Sequence, residues 1–175
     1  MNKLKIWTIA NQKGGVGKTT TVVTLGAILA LQGNKVLMLD TDPHASLTYY
    51  FGIDSEELQH GVYDVFTQSD SMTKDDWNKC VWETPVENLS ILPATMAMAT
   101  LDGVLSKKSG MGLIVKKALA KFAAEYDYVL IDCPPVLGVL MVNALAASDK
   151  VLIPVQTECM ALKGLERMYR TMELM

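Results

Sequence analysis

The sequence predicts an α/β fold, a mostly parallel sheet covered by helices on both faces. Three observations lead there. Short, near-continuous apolar runs recur along the chain, the pattern of strands buried on both faces rather than half-solvated ones. Segments with helical apolar spacing separate them, and that alternation gives crossover connections and a parallel sheet. The 175 residues suffice for one well-buried core, and no repeat or low-complexity linker divides them. Residues 1–175 therefore read as a single domain.

Leu4 to Ala10, broken only by Lys5 and Thr8, is the first strand. Asn11 to Gly17 is a glycine-rich loop. Lys18 to Gln32 carries Val22, Leu25, Ala27, Leu29 and Ala30 at helical spacing, and Gly33-Asn34 stops it. Val36 to Leu39 is the second strand and ends at Asp40. Residues 41–90 are more polar, with short helices expected around Ala45 to Phe51, Gly61 to Phe66 and Lys74 to Val81. Leu89 to Leu92 is a third strand, stopped by Pro93. Met96 to Leu105 and Gly112 to Tyr126 read as helices, the second with Leu113, Ile114, Ala118, Leu119 and Phe122 on one face. Tyr128 to Ile131 is a fourth strand ending at Asp132, closed by Pro134 and Pro135. Val139 to Ala147 is helical, Lys150 to Val155 is a fifth strand, and Ala161 to Met175 begins another helix. That helix meets no C-cap glycine or breaker, so the domain is expected to be truncated at its C-terminus.

Composition excludes several classes. Half of the chain is hydrophobic and 20% is charged, ordinary for a globular protein. A net charge of −3 gives no global attraction to nucleic acid or anionic membrane, though a local basic patch stays open. No apolar run reaches the ~18 residues of a membrane span. Met1 to Lys5 lead straight into a strand with no secretory signal, so a cytoplasmic location is expected. Cys80, Cys133 and Cys159 are widely spaced, with no C-x-x-C pair, and read as three reduced thiols in or near the core. Trp7, Trp77 and Trp82 read as packing in preference to partner contacts. Lys107-Lys108 and Lys116-Lys117 read as solvated helix faces, and methionines such as Met96, Met98, Met168, Met172 and Met175 as core filler.

The chemistry concentrates in Lys13-Gly14-Gly15-Val16-Gly17-Lys18-Thr19-Thr20, which follows a strand and opens a helix, the context of a phosphate-binding loop. Glycines let backbone N–H groups close around phosphates where a Cβ would block the approach. The helix N-terminus adds its partial positive charge. Lys18 is placed to reach the β- and γ-phosphates of a nucleotide and the Thr19 hydroxyl to ligate Mg²⁺. Gly14, Gly15, Val16, Gly17, Lys18, Thr19 and Thr20 are thus the candidate ATP-binding residues. A plain glycine-rich turn is the bland alternative, and the lysines and threonines in this register argue against it. Two carboxylates end parallel strands beside the loop. Asp40 and its neighbour Asp42 follow the second strand, where a carboxylate can hold a metal-bound water or orient an attacking one; turn formation or capping is the structural alternative. Asp132 ends the fourth strand.

Three stretches carry a family resemblance. The loop has Gln12 where the common G-x-x-x-x-G-K-[ST] pattern has its first glycine, and it admits an additional lysine, Lys13. In this deviant Walker A signature the sequence resembles the ParA/MinD family of ATPases, its Soj-like ParA branch in particular. Asp40-Thr41-Asp42-Pro43-His44-Ala45-Ser46 is similar to that family's switch I, D-x-D-P-Q-x-N. Val129 to Pro135, with Leu137 and Gly138, resembles a Walker B strand followed by the switch II pattern D-C-P-P-x-L-G. Val142 to Asp149 and Ile153 to Gln156 also look like family stretches, so the resemblance covers essentially the whole chain.

What the resemblance implies is a P-loop NTPase fold and an ATP-dependent dimerisation switch with ATP and Mg²⁺ as cofactors. Lys13 would cross a homodimer interface to touch the partner's nucleotide. Asp42 would orient the hydrolytic water, Asp40 would sit by the metal, Asp132 would hold Mg²⁺ through water, and the Gly138 N–H would sense the γ-phosphate. His44 stands where glutamine is usual and Ser46 where asparagine is usual, so the hydrolysis rate does not carry over. Hydrolysis would be slow until a partner protein stimulates it. The expected cargo is a chromosome or plasmid (with a ParB-like partner) or a polar chemotaxis array (with a chemotaxis adaptor). Trp7, the switch I stretch, Ser109 to Ile114 and Gly164 to Met168 look more like the ParC branch, which positions such arrays. Family members are longer; the further part supplies adenine contacts and basic residues for non-specific DNA. The location implied is cytoplasmic, at the nucleoid or the cell pole. The alternative is a metabolic ligase of the cobyrinate a,c-diamide or dethiobiotin synthetase type, which need not have Lys13. An iron–sulfur carrier would need a cysteine pair that Cys80, Cys133 and Cys159 do not supply.

Overall fold

The computed structural model describes residues 3–105 and 110–174; the expectations for Lys107-Lys108, Ser109 and Met175 fall outside them. Its strands are β1 (Lys5–Ile9), β2 (Val36–Asp40), β3 (Trp82–Glu83), β4 (Leu89–Leu92), β5 (Tyr128–Asp132) and β6 (Lys150–Leu152). The helices are α1 (Lys18–Leu31), α2 (Ser46–Tyr50), α3 (Val62–Gln68), α4 (Lys74–Cys80), α5 (Leu101–Leu105), α6 (Ile114–Phe122), α7 (Val139–Ala147) and α8 (Cys159–Glu173). Among the described residues the sheet has six strands in the order β3-β4-β2-β5-β1-β6. Every pairing is parallel except the antiparallel edge pair of β3 with β4.

Both faces of the sheet are buried, which is why the strands read as unbroken apolar runs. Side chains alternate across a strand, and β2 feeds both cores. Leu37 and Leu39 join Val129, Ile131 and the inward residues of α3 to α7 on one face. Val36 and Met38 join Ile9, Ile91 and Leu130 under α1 and Leu47 of α2 on the other. Gly26 makes the α1 contact close: a Cβ there would stand 3.1 Å from Leu89 and Met38. Trp77 is fully buried and stacks on Phe122 at 5.3 Å. Among the described residues no helix is long and apolar enough to cross a membrane.

Several expected boundaries differ. The helix expected over Met96 to Leu105 opens as a 3₁₀ turn, Met96–Thr100, before α5. The one expected over Gly112 to Tyr126 has a 3₁₀ turn at Met111–Leu113 and α-geometry only over Ile114–Phe122. The fifth expected strand, β6, ends at Leu152, short of Val155, because Pro154 has no N–H for a ladder. The edge strand β3 was not foreseen, since two residues carry no periodicity. Trp82 on it is 43% exposed and is not core packing. Cys80 and Cys133 are buried as expected, but Cys159 at the start of α8 is exposed. Met98 and Met168 fill the core, whereas Met96 and Met172 are exposed.

Candidate active site

Asp40, Asp42, Asp132 and the glycine-rich loop all lie at the C-terminal ends of the parallel strands, where open α/β sheets leave their crevice. The loop leaves β1 and enters α1 through Gly17, whose φ of 87° is left-handed and suited to glycine. Gly15 has φ 69°. A Cβ on Gly14, Gly15 or Gly17 would meet nothing within 4 Å, so the glycines border open space rather than packed protein. That space is a cavity of about 470 Å³ lined by Gly14 to Thr20, Asp42, His44, Ser46 and Pro135. The Thr21 N–H bonds the Gly17 carbonyl at 2.9 Å, and the amides ahead of it are those a helix N-terminus leaves without intrahelical partners. Lys18 is buried, and its Nζ donates to the Lys13 carbonyl at 3.1 Å, curling the chain around the cavity.

The Thr19 hydroxyl donates to Asp132 Oδ2 at 2.6 Å, so α1 and β5 bring two oxygen donors together, the ligand type a hard divalent cation takes. Burial pushes the Asp132 carboxyl up to about 6, against the Thr19 hydrogen bond. A carboxylate kept out of water with its donor beside a phosphate loop fits a cation, which would restore its ionised form.

Asp40 is directed elsewhere. Its Oδ2 accepts from the Thr48 N–H at 2.9 Å and the Thr48 hydroxyl at 2.7 Å, and Oδ1 accepts from the Asp42 N–H at 3.2 Å. The Thr48 hydroxyl also accepts from Ala94 N–H at 2.9 Å. Asp40 thus ties switch I and α2 to the end of β4. Burial pushes its carboxyl up to about 7, with Asp132 on the neighbouring strand adding repulsion. Ala45 ahead of α2 sits in the left-handed region, φ 55°, unusual for a residue with a Cβ. Asp42 Oδ1 accepts from the His44 N–H and pairs with His44 Nδ1, each at 2.9 Å.

Lys13 lies outside the cavity lining. Its Nζ is ion-paired with Glu158 and donates to Gln156 Oε1 at 3.2 Å. Gln156 returns a bond to the Gly15 carbonyl at 3.1 Å, Asn11 Nδ2 bonds the Pro154 carbonyl at 2.9 Å, and Gln12 bonds Thr171 at 2.8 Å. The loop is therefore strapped to α8 and the segment before it. Gly138 caps the start of α7 and is also outside the lining. Glu158 and Thr48 were missed from sequence: each acts through a contact fixed only by the fold, and neither stands in a local motif.

Fold and site together define a P-loop nucleotide-binding domain. The sequence profile of a family described as an AAA domain matches residues 4–175. The chain belongs to that family, within its ParA/MinD group of P-loop ATPases. It is 44% identical to the sporulation initiation inhibitor protein Soj of Bacillus subtilis over 97% of its own length and 65% of that protein's. It is 38% identical to the chromosome partitioning protein ParA of Myxococcus xanthus, over 97% of this chain and 58% of that one. The crystal structure of cobyrinic acid a,c-diamide synthase from Mycobacterium smegmatis with bound ATP analogue and magnesium superposes with a TM-score of 0.89 at 37% identity, covering 98% of this chain and 68% of that one. The chain thus spans about two thirds or less of the curated relatives' length.

Proposed function

We propose that this chain carries the nucleotide site of an ATP-driven dimerisation switch, a Mg²⁺-dependent ATPase that positions or segregates a cellular cargo. The observation that carries the reading is the loop cavity itself, where Gly14 to Thr20, the Thr19–Asp132 pair and Asp42 converge. Lys18 and the loop amides bind the triphosphate, and Thr19 with Asp132 holds the metal. Mg²⁺ supplies charge neutralisation across the β- and γ-phosphates. Asp42 orients the attacking water, and Gly138 responds to the γ-phosphate through the switch II loop. Lys13 leaves Glu158 to reach the nucleotide of a second copy; two lysines in one loop repel unless a triphosphate lies between subunits. The name of the chromosome partitioning ParA relative supports partition as the task. A hydrolysis-stimulating protein, ParB-like or a chemotaxis adaptor, is the second partner. Non-specific DNA is a third, through a region outside this chain, with a cytoplasmic, nucleoid or polar location.

A second reading is a ligase that activates a carboxylate with ATP, favoured by the cobyrinic acid a,c-diamide synthase neighbour. Turnover separates the two. A switch hydrolyses ATP slowly alone and accelerates with its protein partner or DNA. Robust turnover that starts only on adding a corrinoid or dicarboxylic acid, with a phosphorylated intermediate, would establish the ligase instead.

A further inference from the structure

Switch I of this chain holds an ionisable ring at the mouth of the nucleotide cavity. Asp42 and His44 both line that cavity together with Gly14 to Thr20 and Ser46. The Asp42 side chain is only 14% exposed while that of His44 is 81% exposed. Asp42 Oδ1 takes two bonds from one residue, the His44 backbone N–H and ring Nδ1, both at 2.9 Å. The backbone bond closes the turn and fixes where the imidazole leaves the chain. A carboxylate only accepts, so the ring nitrogen it meets carries the proton and the other, Nε2, is the acceptor. Second-partner hydrogen bonding selects the tautomer of a histidine in this way.

We propose that His44 is a further catalytic residue of the site, with Asp42 and His44 acting as a carboxylate–imidazole pair and Nε2 accepting the proton of the attacking water. The proposal rests on the ATPase reading above. The water oxygen bonds to the γ-phosphorus and the bond from that phosphorus to the bridging oxygen of ADP breaks. The water's proton passes to Nε2, and the imidazolium, stabilised by the Asp42 carboxylate, then releases it to solvent, leaving ADP and inorganic phosphate. Imidazole is a far stronger base than an ordinary carboxylate, and one Asp42 oxygen is already committed to the ring. Lys18 of α1 and Asp42 are the other charged groups on the cavity wall, with Asp132 of β5 one hydrogen bond behind Thr19.

The test is single-turnover ATP hydrolysis with Mg²⁺ at pH 8, for the wild type, His44→Gln and His60→Gln, with ATP binding titrated alongside. His60→Gln should bind and hydrolyse ATP as the wild type does. At pH 8, above the range of the buried Asp40 and Asp132 carboxyls, His44→Gln should bind ATP as before and fall about 100-fold in rate, the lower end of what a positioned proton acceptor contributes. The chain has two histidines, so ¹⁵N-histidine spectra resolve the ring: it should be the Nδ1–H tautomer, and Asp42→Ala should remove that preference. A His44→Gln rate at pH 8 within a few-fold of the wild type's, or a ring tautomer indifferent to Asp42→Ala, would each overturn the pair. Failure of the wild type to bind or hydrolyse ATP would overturn the ATPase reading and this proposal with it, whereas hydrolysis that His44→Gln leaves undiminished overturns the proposal alone.

Discussion

Replacing Thr48 by valine removes one hydroxyl and breaks the link between Asp40 and the end of β4. That hydroxyl donates to Asp40 Oδ2 at 2.7 Å and accepts from the Ala94 N–H at 2.9 Å, at a fully buried position. Valine keeps the volume and leaves two groups short of a partner. A buried amide without an acceptor costs about 2 kcal/mol at any pH, and the lost bond to a carboxylate costs about another 2 kcal/mol. The second cost is full where Asp40 is ionised in the folded state and falls to about 1 kcal/mol where it is protonated, because a neutral carboxyl oxygen still accepts. Its carboxyl is pushed up to about 7, so it is protonated at pH 5 and charged at pH 8. The expected loss is therefore about 3 kcal/mol at pH 5 and about 4 kcal/mol at pH 8. With a urea slope of about 2 kcal/mol/M, the midpoint should fall by about 1.5 M and about 2 M respectively. Urea denaturation followed by circular dichroism at the two pH values measures it. An equal shift at both would show that the Asp40 carboxylate does not depend on Thr48, and a shift below about 0.3 M would show that neither bond matters.

Two further outcomes follow from the same geometry. Lys18→Ala should abolish ATP binding in a fluorescent-nucleotide titration, because the buried ammonium faces the loop cavity; unchanged affinity would refute the phosphate-loop assignment. Asp40→Asn should flatten the pH dependence of stability. The folded carboxyl, raised from 3.8 to about 7, binds a proton the unfolded chain has lost, so stability falls as pH rises across that window and is level above it. Asparagine has no proton to lose and still accepts the Thr48 N–H, leaving only the gentler slope of the same sign from Asp132; denaturation midpoints as steep as the wild type's between pH 4 and 7 would refute this.

Much of this arrangement was legible in the sequence because its signals are local. The strand-loop-helix run from β1 to α1 and the aspartates closing β2 and β5 are contiguous patterns, and doubly buried strands show as apolar runs. Val139 to Ala147 was placed to the residue. What escaped depends on contacts far apart in sequence. Nothing near Glu158 announces that it meets Lys13, and nothing near Thr48 announces that it anchors Asp40 and Ala94. The β3 edge strand is too short for a period, and a 3₁₀ opening differs from an α-helix by one hydrogen-bond register that composition does not encode.

The central claim is that ATP joins two copies through Lys13 and that Asp42 ends the cycle. In the isolated chain Lys13 is held by Glu158 and Gln156, so nucleotide must draw it away. Light scattering with ATP and Mg²⁺ tests this most directly. Asp42→Ala should bind ATP, fail to hydrolyse it and accumulate as a dimer, while Lys13→Ala should bind ATP and stay monomeric. A monomeric Asp42→Ala would contradict the dimer switch, and a dimeric Lys13→Ala would contradict the lysine that bridges it.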